Sequence, residues 1–201
     1  MGLMARVVER VSDNPVLFIF FRGILENDFK AIRAVIRREL SGGPGVRTLD
    51  LGCGPGAFSE MFDGVGYVGA DLNRRYIEHA QRKRTGTFLV SDARKVELPD
   101  GQFEQILIFG LLHHLPDQDV RAVLSEARRL LVPGGRILAI EDIPAVSRLN
   151  LMGHIIHSVE NGEHIRPAED YRRLYREVAT IEREEILRSG ICDYYSAVLV
   201  T

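Results

Sequence analysis

Thr48–Phe58, read as TLDLGCGPGAF, decides how the rest of the chain is read. The apolar segment VRTLDL (46–51) forms a short strand and breaks at once into Gly52-Cys53-Gly54-Pro55-Gly56. Glycine lets a backbone turn with positive φ and lets a ligand come close to it. In doubly wound sheets ligands lie beyond the carboxyl ends of the strands, where the strand order reverses, and the loop after the first strand is such a place. The spacing is G-x-G-x-G, not the G-x-G-x-x-G of a pyrophosphate binder. By itself the loop is equally well read as a plain tight turn.

Working outward, strand and helix signals alternate. GYVGADL (66–72) reads as a second strand and RRYIEHAQRKR as a helix. TFLVSDA (87–93) is a third strand, and FEQILIFG (103–110) a fourth whose continuous apolar run suits a strand covered on both faces. A helix starts near Pro116-Asp117 with Val120, Val123, Leu124, Ala127, Leu130 and Leu131 on its buried face, and PGG ends it before a fifth strand, RILAIED (136–142). This repetition predicts an α/β fold with a parallel sheet between helical layers. PAEDYRRLYREV (167–178) reads as a helix. TIEREEIL (180–187) and YYSAVLVT (194–201) are strands too close in sequence for a crossover helix, so they pair antiparallel. Before the SGGPG break at 41–45, SDNP (12–15) supplies helix-start residues. Phe18, Phe21, Leu25, Phe29, Ile32 and Ile36 then form the stripe of one long or broken helix.

Three acids stand beside the glycine loop. Asp50 precedes it, facing the place where a cationic amine would lie. Asp71 ends strand two, about twenty residues on, where a carboxylate accepts from a ribose diol. Asp92 ends strand three, where it can accept from an adenine amine. Each alone can be a turn cap, but three at successive strand ends favour a ligand.

VRTLDLGCGPG, GADLN, SDA, FEQILIFGLLHHLPD and LLVPGGRILAIED resemble, in order and spacing over residues 46–142, the successive motifs of class I S-adenosylmethionine-dependent methyltransferases, nearest to those acting on small molecules with an LHHL-type fourth motif. The resemblance implies a Rossmann-like, doubly wound, seven-stranded and mostly parallel sheet with an antiparallel last strand. It implies one methyltransferase domain over 1–201: a helical cap (1–40), a cofactor core (46–142), a substrate-side insertion and helix (143–178) and a closing strand pair (180–201). It further implies that Gly52, Cys53, Gly54 and Gly56 wrap the methionine part of S-adenosylmethionine with Asp50 near its amine. Asp71 would hold the ribose, Leu72 the adenine face, and Asp92 with Ala93 the adenine edge. The backbone at Phe109 and Gly110 would face the amine, with His114 nearby.

Methyl transfer from a sulfonium is an in-line displacement, so the protein mainly positions a nucleophile. His113 and His114, at the mouth after strand four, are candidate catalytic bases, or side chains that only pack at a turn. Glu141 and Asp142 are substrate-side candidates or helix caps. The segment 145–165 stands where the family inserts a substrate lid. Its histidines, with Tyr171 and Tyr175, line an acceptor pocket or belong to a helical cap. Phe18, Phe20, Phe21 and Phe29 are core, or a floor for an apolar acceptor. His154, His157 and His164 lack the cysteines or acids of a zinc site, and strand four ends without a carboxylate, so no metal is expected.

The chain has 201 residues, 45% hydrophobic and 27% charged, with a net charge of −2. That suits an ordinary globular protein and offers no basic surplus for nucleic acid. Two cysteines, Cys53 and Cys192, give no disulfide framework. No signal peptide is visible, and PVLFIFF is far short of the ~20 apolar residues of a membrane span, so a cytoplasmic location is expected. The expected partner is a small-molecule methyl acceptor. Two other readings stay open: a non-catalytic S-adenosylmethionine-binding protein, and an NAD-dependent oxidoreductase, against which the glycine spacing and the antiparallel pair both speak.

Overall fold

The computed structural model describes residues 15–146 and 164–201, and only the backbone of residues 18–22. The start of the SDNP segment, the side chains of Phe18, Phe20 and Phe21, and His154 and His157 lie outside the described residues. The strands are β1 (Thr48–Leu51), β2 (Tyr67–Asp71), β3 (Thr87–Val90), β4 (Phe103–Phe109), β5 (Leu131–Ile143), β6 (Thr180–Ser189) and β7 (Cys192–Val200). They form a seven-stranded sheet in the order β3-β2-β1-β4-β5-β7-β6. Strands β1 to β5 pair parallel, and β7 runs antiparallel to both of its neighbours. The helices are α1 (Pro15–Leu25), α2 (Lys30–Glu39), α3 (Arg74–Lys83), α4 (Asp117–Leu130) and α5 (Ala168–Arg176).

Strand periodicity divides the apolar residues between two faces. Leu49, Leu51, Ile106, Ile108, Ile137, Ala139 and Leu199 pack with α4 and α5. Leu107, Leu138, Ile140, Tyr194 and Val198 pack with Ile32, Val35 and Ile36 of α2 and with Ile77 and Ala80 of α3. Each large aliphatic side chain buried this way contributes roughly 1.5–3 kcal/mol. Tyr171 and Tyr175 are fully buried on the inner face of α5, with the Tyr175 and Tyr195 rings stacked at 6.0 Å.

Two expectations change. The PGG at 133–135 does not separate α4 from β5, because the strand already begins at Leu131. Residues 132–135 bulge instead, shifting the register from Phe103↔Leu131 to Gln105↔Arg136. The N-terminal helix takes the broken form, for Asn27, Asp28 and Phe29 all have φ near +55°. This costly backbone is held by what it delivers. The buried Phe29 ring meets Phe58 and Phe109 edge-on at 5.6 and 6.0 Å. The buried Glu26 carboxylate accepts from the Tyr194 hydroxyl at 2.5 Å. The Ser189 hydroxyl and the Ile191 N–H donate to the carbonyls of Glu26 and Leu25.

The α1 end therefore sits directly on the β6–β7 turn. Gly190 has φ +59°, and a Cβ there would overlap the Leu25 carbonyl oxygen. Gly134 has φ +78° with open space around it. Gly190→Ala should cost roughly 2–4 kcal/mol and Gly134→Ala only about 1 kcal/mol. Urea unfolding of the two variants checks this; equal losses would mean that α1 does not rest on the turn.

Candidate cofactor site

From β1 the chain moves toward β2, and from β4 toward β5, so a crevice opens between the carboxyl ends of β1 and β4. The loop after β1 forms one wall. The Gly52 and Cys53 N–H groups both donate to the Ala70 carbonyl, at 2.8 and 3.1 Å, and fasten the loop to β2. The Gly54 N–H donates to Asp71 Oδ2 at 2.9 Å, and the Asn73 N–H to Asp71 Oδ1 at 2.7 Å. Asn73 then caps α3 by accepting from the Arg75 and Tyr76 N–H groups. Asp71 thus fixes the loop, the end of β2 and the start of α3 together. Burial raises its pKa, against the two backbone bonds. Each carboxylate oxygen keeps a second acceptor direction, which suits a diol.

The loop glycines differ in what they face. A Cβ on Gly52 would press on Leu111 at 3.1 Å, and one on Gly56 on Phe88 at 3.0 Å. On Gly54, with φ +53°, its nearest neighbour would be Tyr76 at 3.9 Å. Gly54 is therefore the one of these three glycines with room where a Cβ would stand, and its N–H ties the loop to the Asp71 carboxylate. Leu72 stands 70% exposed just past the end of β2.

Asp50 lies under the loop, fully buried, accepting from the Tyr67 hydroxyl at 2.6 Å. Burial pushes its pKa up to about 7, although the Tyr67 bond works against the rise. Cys53, buried beside these acids, has its thiol pushed up by burial, which leaves it a packing residue and not a reactive thiolate. Strand β3 ends at Val90, opposite Asp71, so Asp92 lies two residues past the strand and not at its end; it is bound by Arg94 at 2.7 Å, and Arg94 also reaches Asp119 at the start of α4. That hydrogen-bonded guanidinium holds the Asp92 carboxyl below its usual range. Ala93 packs against the α4 side of the core.

The second wall is the loop after β4. The Gly110 N–H donates to the Ile140 carbonyl at 3.0 Å. The Phe109 side chain turns away into the Phe29–Phe58 cluster, which leaves its backbone toward the crevice. A 3₁₀ turn follows over Leu112–His114. Glu141, fully buried, accepts from the N–H groups of Leu111, Leu112 and His113 at 3.0, 2.8 and 3.2 Å, and lies 3.0 Å from His113 Nδ1. It is the anion at the start of that turn, so its carboxylate is occupied in holding the loop. His113 is buried, with Asp142 Oδ2 4.0 Å from the same Nδ1. His114 is exposed, its ring 4.0 Å from that of His113.

Two residues central to this geometry carried no sequence signal. Tyr67 needs the β1–β2 register to be seen as the donor to Asp50. Arg166, almost fully buried, donates to the carbonyls of Leu112, Leu115 and His164 and pairs with Asp117 at 2.9 Å. It clamps the β4–α4 loop to the segment leading into α5. The described residues hold no cluster able to bind a metal ion, His164 included. Among them no helix is long and apolar enough to cross a membrane.

Residues 48–135 match the family described as a methyltransferase domain. The demethylmenaquinone methyltransferase of Beutenbergia cavernae is 36% identical over 102 residues, 49% of this chain and 41% of that protein. The ubiquinone biosynthesis O-methyltransferase of Pseudomonas aeruginosa is 27% identical over 161 residues, 71% of this chain and 68% of that protein. A crystal structure of a SAM-dependent methyltransferase from Archaeoglobus fulgidus shares the fold, with a TM-score of 0.68 at 19% identity over 90% of this chain and 99% of that one. The chain spans less than half the length of several curated relatives that it matches, the Beutenbergia protein among them. The match marks residues 48–135 as similar to a methyltransferase domain, and the fold around it is the one seen in the Archaeoglobus SAM-dependent methyltransferase.

The buried Asp50 gives the site a measurable pH signature. Its pKa is raised above the unfolded value, so its contribution to stability is fully present below about pH 4 and is lost as pH rises through about 7. Asp50→Asn keeps an acceptor for Tyr67 and has no proton to lose. Between pH 4 and 8 the variant should gain on the wild type by on the order of 2–4 kcal/mol, read by urea unfolding at each pH. Parallel pH profiles would contradict the raised pKa.

Proposed function

We propose that this chain binds S-adenosylmethionine in the β1/β4 crevice and transfers its methyl group to an O, N or C nucleophile of a small, apolar molecule. The observation that carries this is the Asp71–Gly54 hydrogen bond beside an open glycine backbone. It supports the reading because a carboxylate able to accept from a diol adjoins a glycine loop that lacks pyrophosphate spacing. The cofactor supplies an already activated methyl group, so the protein's own work is orientation and exclusion of water.

In this reading Asp71 holds the ribose, Leu72 covers the adenine, and Asp92 with Ala93 meets the adenine edge, where the amine would have to displace one of the bonds that Arg94 makes to both Asp92 oxygens. Residues 52–56 and the backbone at Phe109 and Gly110 enclose the methionine part, with Asp50 beneath its ammonium. Glu141 holds the β4–α4 loop in shape and lies 3.0 Å from His113 Nδ1, so His113 is the first candidate base. His114, at the exposed end of the turn, is the second candidate base. The acceptor is proposed apolar because relatives in the comparison carry quinone-pathway names.

Calorimetric titration with S-adenosylmethionine, S-adenosylhomocysteine and NADH tests the cofactor. The two adenosyl ligands should bind in the micromolar range and NADH should not. Asp71→Ala should weaken the adenosyl ligands by roughly 10- to 100-fold, the loss of one or two charge-assisted hydrogen bonds. Binding of NADH alone would overturn the methyltransferase reading. Tight adenosyl binding with no transfer to any quinol, phenol or amine acceptor would favour a non-catalytic binding protein.

A further inference from the structure

We propose that α1 and α3 together form a docking face for an anionic lipid bilayer. The inference extends the apolar-acceptor reading, but its test needs no turnover, so each can fail without the other.

The face combines two features that are rarely adjacent on a water-facing surface. α1, PVLFIFFRGIL, is the most apolar helix among the described residues, yet Ile24 is 63% exposed and Val16 60% exposed, with Leu17 at 40%. Leu17 and Ile24 are seven residues apart and so share one stripe of the helix. α1 packs beside α3. From Arg74 to Arg84 this second segment carries Arg74, Arg75, His79, Arg82, Lys83 and Arg84 against Glu78 alone, in a chain of net charge −2.

The described surface holds both neutralised and unneutralised cations, and α3 carries a group of the latter, while the adjoining Arg84 reaches Glu60 at 3.7 Å. Arg33, Arg38, Arg47, Arg94, Arg121, Arg129, Arg172 and Arg188 all pair with carboxylates. Arg74, Arg82 and Lys83 are exposed, and no carboxylate among the described residues lies within ion-pair reach of them. An apolar helix beside unneutralised cations matches the two forces that hold a protein on an anionic membrane: burial of apolar side chains at the acyl boundary and attraction to the headgroups. A folded water-soluble partner would satisfy the first feature but has no need of the second.

The place of the face in the fold gives it a use. α1 ends on the β6–β7 turn, through Glu26 and Tyr194, and also touches α3, which starts at the end of β2. It therefore runs past the β1/β4 crevice, which lies between β7 and β2 in the strand order. A bilayer held against α1 and α3 would stand beside the mouth of the site, where a lipid-dissolved acceptor would enter.

Co-sedimentation of the full chain with vesicles tests this, comparing phosphatidylglycerol–phosphatidylcholine mixtures with pure phosphatidylcholine. Partition should be strong on the mixed vesicles, weak on the neutral ones, and fall as salt is raised. Ile24→Glu, and separately Arg82→Gln with Lys83→Gln, should each lower partition on the order of tenfold. Unfolding temperature and S-adenosylhomocysteine affinity should not change, which separates this result from failure of the fold or the cofactor site. No binding to the anionic vesicles, or binding unmoved by either variant, overturns the proposal. So does retention on duplex nucleic acid without vesicle partition, which would assign the basic helix to a polynucleotide.

Discussion

The parting of β1 and β4 is the constraint on which the rest depends. Two parallel strands lie side by side at the centre of the sheet, and their chains leave in opposite directions. No crossover covers their carboxyl ends, so loops close the gap and backbone N–H groups line it. A central strand buried on both faces can carry a polar group only at its end or in a satisfied pair. Asp50 is such a pair with Tyr67, and Asp71 is such an end. The hydrogen bonds from Asp71 to Gly54 and Asn73 then turn a loose glycine loop into a wall of fixed shape. The same reasoning holds for the second wall, where Glu141 satisfies three N–H groups of the turn after β4 and Arg166 satisfies its carbonyls.

The cap is coupled to this centre through aromatic packing. Phe109 ends β4, and its ring is edge-on to both Phe58 from the first loop and Phe29 from the helix break. Three residues in left-handed backbone are a high local cost, of order 1–3 kcal/mol each. They persist because the break sends the Phe29 ring inward and places Glu26 against Tyr194. Changes in the cap are therefore felt at the end of β4, and the cap cannot be treated as an appendage.

Much of this was legible in the sequence, for a physical reason. Parallel strands buried on both faces read as apolar runs, and glycines at strand ends read as turns, so β1, β2, β4 and the loop at 52–56 stood out. Asp50, Asp71 and Asp92 were visible because acids at or near successive strand ends are set by chain order alone. What stayed hidden depends on register or on distant partners. The break at 27–29 occurs at Asn, Asp and Phe, none of which demands positive φ, and the helical stripe runs straight through it. Glu141 gave no sign that it would turn back onto the 111–113 loop, and Arg166 reads as one more arginine before a proline. PGG looked like a boundary, but a parallel neighbour can absorb it as a bulge.

The central claim is that the β1/β4 crevice is a nucleoside–amino-acid site, and a crystal structure of the chain with S-adenosylhomocysteine tests it most directly. The account predicts the ribose hydroxyls on Asp71, the adenine against Leu72 and the amino-acid part along Gly52–Gly56 above Asp50. A ligand bound elsewhere, or in the crevice with its ribose away from Asp71, would contradict it.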